Sequence, residues 1–157
     1  MIAGNRGTGM QGAVLSPEGA LAAARPRLLE PGLRRLEPGI EHYRVRGGGS
    51  VTFLLEPGDR LTLRDLEGRQ ACELVVFGSD GRPDLAALDA KADGPATGLQ
   101  AILVQPDEDA AAVRAALARR GIDPARAEAL RLFGGESRPG AEVELTTRRA
   151  ATCIVAA

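Results

Sequence analysis

From Tyr43 onward the chain alternates apolar and polar residues in short runs, each closed by turn chemistry, which is the pattern of β-strands. Tyr43-Arg44-Val45-Arg46 alternates, and Gly47-Gly48-Gly49 permits a bend, bulge or hairpin. Val51–Leu55 continues as strand and is closed by Glu56-Pro57-Gly58-Asp59. Leu61-Thr62-Leu63-Arg64-Asp65 repeats with period two, and Glu67-Gly68-Arg69 turns. Ala71–Phe77 is almost wholly apolar and ends at Gly78-Ser79-Asp80-Gly81. The pattern predicts three or four antiparallel strands joined by short turns, a meander.

The middle of the chain changes texture. Pro83–Asp93 reads as a short helical or irregular link, and Ala101-Ile102-Leu103-Val104 as a short apolar strand. Asp107 opens the clearest helix. Asp107, Glu108 and Asp109 put acid at its positive end, Arg119 and Arg120 sit at its negative end, and Gly121 follows. Ala110, Val113 and Leu117, with Ala116 beside them, form its buried stripe. Asp123-Pro124 starts a second short helix running through Leu130. The last block returns to strand: Val143 and Leu145 alternate with Glu142, Glu144 and Thr146, and Thr152–Ala156 is apolar to the end.

Pro57-Gly58-Asp59-Arg60-Leu61-Thr62-Leu63 is echoed by Pro139-Gly140-Ala141-Glu142-Val143-Glu144-Leu145, and each is followed by a turn and an apolar strand. Convergent turn chemistry explains the echo as well as a repeat does. Two such hairpins close either an antiparallel β-barrel or a two-sheet sandwich. The expected class is therefore α+β and β-rich, with one or two helices inserted before the last strands. Residues 1–40 read as a Gly/Pro/Ala/Arg-rich leader, within which Ser16-Pro17-Glu18 opens a short helix. Residues 41–157 read as a single domain, and the apolar ending suggests a domain that continues into a longer natural chain.

Composition narrows the function classes. With 157 residues and a net charge of −1, one ordinary domain is expected. The near-zero charge removes the electrostatic footprint of a nucleic-acid binder, and 3% aromatics leaves few stacking platforms. No apolar run is long enough to span a membrane, and the first residues lack a secretory pattern, so the expected compartment is the cytoplasm. The chain has one His, His42, and two Cys, Cys72 and Cys153, 81 positions apart, which matches no zinc spacing. Gly47-Gly48-Gly49-Ser50 lacks the strand–loop–helix setting and the Lys of a phosphate loop, and Lys91 lies in a polar turn.

The densest polar cluster is Asp65-Leu66-Glu67-Gly68-Arg69-Gln70-Ala71-Cys72-Glu73. A tight hairpin there brings Asp65, Gln70 and Glu73 within reach of one another, and paired carboxylates divide acid and base roles when burial separates their pKa values. The plainer reading makes Asp65 and Glu67 part of a solvated turn, with Gln70 satisfying free backbone groups. The candidate site residues are thus Asp65, Glu67, Gln70 and Glu73.

Tyr43–Ser50, Pro57–Gln70 and Glu73-Leu74 together resemble the opening of the urea carboxylase-associated protein family. Its Asp-x-x-Gly-x-Gln signature and following acidic residue match Asp65, Gly68, Gln70 and Glu73, with Glu73 where Asp is commoner. Leu132-Phe133 and Ser137-Arg138-Pro139-Gly140, with the strand pair after them, resemble the family's end. The resemblance implies a β-rich domain of nitrogen and one-carbon metabolism. Some members stand alone as carboxyguanidine-processing subunits. Others are N-terminal modules fused to a tetrahydrofolate-binding, aminomethyltransferase-like domain, as in trimethylamine N-oxide demethylase-like enzymes. Fuller members carry His-Asp and Cys segments in the middle of the domain, some holding zinc, whereas no His or Cys lies between Glu73 and Thr152 here. The expectation is a non-catalytic accessory domain with no metal or cofactor of its own. Its partner would be an aminomethyltransferase-like domain or subunit, with tetrahydrofolate held there, or a second copy of the chain. The alternatives are a small hydrolase or lyase of N-methyl or guanidino compounds using Asp65, Glu67 and Glu73, and a plain protein-interaction barrel.

Overall fold

The computed structural model describes residues 39–157, so all but the end of the expected leader, with its helix at Ser16, lies outside the described residues. Gly39–Arg44 and Val45–Ala157 fall in separate units. In the first, the Tyr43 hydroxyl donates to the Glu41 carboxylate. The second holds all the regular structure described below.

Among the described residues, seven strands form two antiparallel sheets: β1 (Ser50–Leu55), β2 (Arg60–Asp65), β3 (Cys72–Gly78), β4 (Gly94–Pro95), β5 (Glu128–Leu132), β6 (Ala141–Thr146) and β7 (Ala151–Ala156). The larger sheet runs β1-β7-β3-β5-β4, and β2 pairs with β6 in a separate ribbon. Helices α1 (Thr97–Leu103) and α2 (Glu108–Arg119) are inserted between β4 and β5. The expected sandwich with inserted helices is present, and no barrel closes among the described residues.

Three layers follow from the strand periods. Val75, Phe77 and Ile154 face a core completed by Leu99 and Leu103 of α1 and Leu117 of α2. Leu74, Val76, Cys153 and Val155 face a second core, which Leu61, Leu63 and Leu145 of the ribbon cover. The central strands β3 and β7 are thus buried on both faces, which is why each reads as a nearly continuous apolar run. The ribbon has one wet face. There Arg64 bonds Glu142, and Arg60 lies 3.7 Å from Glu144.

Four expectations need correction. First, Tyr43–Arg46 lies in no strand; the Gly49 amide donates to the Arg46 carbonyl at 2.8 Å and closes a turn instead. Second, the strands do not form a meander. β1 pairs with β7 and β2 with β6, so sequence neighbours go to different sheets. The two echoing segments pair with each other, and so do the apolar strands that follow them, β3 and β7. Third, Ala101–Leu103 is the end of α1 and Val104 its C-cap, and the buried Leu99 and Leu103 are four residues apart on one helix face. Fourth, the turn after Asp123 is a 3₁₀ helix of only Pro124–Arg126, and Glu128–Leu132 is a strand in register with Cys72–Val75.

Candidate functional site

Asp65 ends β2 with its side chain pointing inward, only 3% exposed. Its carboxylate ties the Asp65-x-x-Gly68-x-Gln70 turn to Ser137, 72 residues away. Oδ1 accepts from the Gly68 amide at 2.8 Å, and Oδ2 accepts from the Gln70 amide at 3.2 Å and the Ser137 hydroxyl at 2.5 Å. The backbone completes the joint. The Gly140 amide donates to the Asp65 carbonyl at 2.6 Å, and the Arg69 amide donates to Ser137 Oγ at 2.9 Å and to its carbonyl at 3.1 Å. Gly68 is required here: its φ is +81°, and a Cβ would come within 2.7 Å of Pro139 Cδ. Burial disfavours the Asp65 charge, but the Ser137 hydroxyl and the amides of Gln70, Gly68 and Glu67 outweigh it and hold the carboxyl below its ordinary value.

Glu73 lies on β3, one residue before Leu74, and so turns to the opposite face of the larger sheet, toward α1. It is 7% exposed. Oε1 accepts from the Thr97 hydroxyl at 3.0 Å, and Oε2 accepts from the amides of Gly98 at 2.7 Å and Leu99 at 3.2 Å. These amides belong to the first turn of α1, whose own N-cap residue, Ala96, makes no side-chain cap. Glu73 is therefore the cap of α1, supplied from 24 residues earlier in the chain. Arg131 of β5 adds a charge 3.4 Å from Oε1, and its guanidinium also donates to the Pro95 carbonyl at 2.7 Å. The Arg131 amide donates to Asp93 at 2.7 Å.

Of the four candidates, Asp65 and Gln70 are brought together, but through the Gln70 amide; the Gln70 side chain is exposed. Glu67 is exposed on the same turn. The expectation that Asp65 and Glu73 lie within reach of one another is corrected: one carboxylate serves the ribbon joint, the other the helix face, and they share no hydrogen-bond partner. Sequence reasoning passed over Thr97, Gly98 and Arg131 as site residues. Ser137 carried a signal, its place in the second matching segment, but nothing local marked it as the partner of Asp65.

The thiols are held in the protonated form. Burial, then the Asp65 charge, pushes Cys72 up to about 11, and burial alone pushes Cys153 up to about 12. Cys153 lies opposite Val76, four residues along β3 from Cys72, or about 13 Å, beyond disulfide reach. His42 is exposed in the Gly39–Arg44 unit. Among the described residues no three of His, Cys, Asp and Glu converge, so they do not fit the four-donor zinc site that the family resemblance raises. Among the same residues, no helix is long and apolar enough to cross a membrane.

Fold and site together define an α+β sandwich domain whose two buried carboxylates each fasten separate stretches of chain. Over 130 residues, 83% of its length, the chain is 34% identical to the trimethylamine-oxide aldolase of Ruegeria pomeroyi, and the match spans 16% of that protein. The chain is thus related in sequence to part of a protein of methylamine metabolism. No family model matches it, so its resemblance to the urea carboxylase-associated family rests on the motif residues alone. No solved structure matches it.

Proposed function

We propose that this chain is a non-catalytic accessory domain of methylamine metabolism, built like the matching sixth of trimethylamine-oxide aldolase. Its partner in this reading is a folate-dependent, aminomethyltransferase-like domain or subunit, and tetrahydrofolate belongs to that partner. The 34% identity over 130 residues carries the assignment to methylamine chemistry. The geometry of the carboxylates supports the accessory role. A general acid or base must be free to exchange a proton with a substrate. Asp65 and Glu73 instead accept hydrogen bonds from their own backbone, Asp65 from Gly68 and Gln70, Glu73 from Gly98 and Leu99.

Two assays test the reading. The matching 130-residue segment of the Ruegeria protein is replaced by this chain's, and consumption of trimethylamine N-oxide is followed by proton NMR. The graft retains activity, while this chain alone shows none. Turnover by this chain alone, abolished by Asp65→Asn or Glu73→Gln at unchanged Tm, would establish the hydrolase or lyase alternative instead.

A further inference from the structure

Among the described residues, β1 is the outer strand of the larger sheet, bonded to β7 on one side. The Gly49 carbonyl accepts from the Ala157 amide at 3.0 Å, so Gly49 faces β7. By antiparallel alternation Val51, Phe53 and Leu55 face β7 too, and the backbone groups of Ser50, Thr52 and Leu54 point to the outer edge. Natural edge strands are guarded by charges, Pro, bulges or shortness. β1 spans six residues, Ser50-Val51-Thr52-Phe53-Leu54-Leu55, with no charge and no Pro, and Leu54 is 59% exposed. The other edge, β4, has only two residues, one of them Pro95.

Charges stand at both ends of the unguarded edge. Arg46 precedes β1 and Glu56 follows it; both are exposed, and neither forms an ion pair among the described residues. Antiparallel pairing of β1 with itself about a twofold axis sets the Arg46 end of each strand beside the Glu56 end of the other. Each attraction then occurs twice. A parallel partner strand would instead set like charges together.

We propose that β1 is a self-pairing edge, and that two copies of this chain join there into one continuous sheet through Ser50, Thr52 and Leu54. The test is sedimentation equilibrium on the full chain at low salt. The wild type sediments at twice its 16.3 kDa mass at high micromolar concentration. Leu54→Lys places a charge on the edge, and Arg46→Glu sets like charges beside each other; each weakens the dimer by at least roughly tenfold. The double exchange Arg46→Glu with Glu56→Arg restores it. All these positions are exposed, and circular dichroism reports that each variant is folded. A wild type that stays monomeric, a dimer indifferent to both single changes, or a double exchange that fails to rescue would each overturn the proposal.

Discussion

At the scale of single residues, charge state and backbone geometry decide what each group does. Asp65 has a folded-state pKa below its ordinary value of 3.8, so it stabilises the fold fully above about that pH and loses the contribution as pH falls through the lower, folded value. The urea midpoint of the wild type is therefore expected to drop steeply in that acid window, and the drop should be shallower in Asp65→Asn. Parallel acid profiles for the two proteins would deny the carboxylate this role. Gly68→Ala meets both a positive φ and the Pro139 ring, and should cost roughly 2–4 kcal/mol in urea unfolding. Thr147 is 1% exposed, and its hydroxyl has no hydrogen-bond partner among the described residues. Thr147→Val keeps the shape without the orphaned group and should raise stability by about 1 kcal/mol. A loss of stability would place a hydrogen-bonded water at that hydroxyl. Little of this was legible in the sequence: Asp65 and Gly68 stood out, but that they close on Ser137 and Pro139 depends on a contact across most of the domain.

At the scale of elements, strands with a complete local signal were readable. β2, β3 and β6 show their period or their apolar run directly, and α2 carries its cap in Asp107, which accepts from the Ala110 amide at 2.7 Å. α1 carries no such signal, because its cap is Glu73 on another strand and its apolar run is too short to show a helical period. Glu73→Gln keeps one acceptor but removes the charge facing the helix end and Arg131. It should cost about 1–3 kcal/mol and expose the α1 amides to hydrogen exchange before those of α2. Exchange in α1 unchanged from the wild type would show that packing of Leu99 and Leu103 alone holds that helix. β5 was misread because Ala129 and Leu130 suit either a helix or a strand, and only the pairing with β3 selects the strand. The central strands also set the thiols' behaviour. With Cys72 near 11 and Cys153 near 12, native protein at pH 8 should react with a disulfide reagent far more slowly than unfolded protein does.

At the scale of the molecule, the echo between residues 57–63 and 139–145 acquires a meaning that the sequence alone left open. Each copy is an arch that sends its first strand to the ribbon and its second to the centre of the larger sheet. The two arches interlock strand for strand, and the Asp65–Ser137 joint fastens the turn of one to the entry of the other. On the far face, Glu73 fastens α1 to the same central strand. A domain organised in this way uses Asp65 and Glu73 to hold its frame, which is what the proposed accessory role asks of them. The measurement that bears most directly on this is thermal unfolding of Asp65→Asn and Glu73→Gln beside the wild type at pH 7. The account predicts that both variants melt at clearly lower temperature. An unchanged or raised Tm in either, the behaviour of a carboxylate kept for chemistry at a cost in stability, would contradict it.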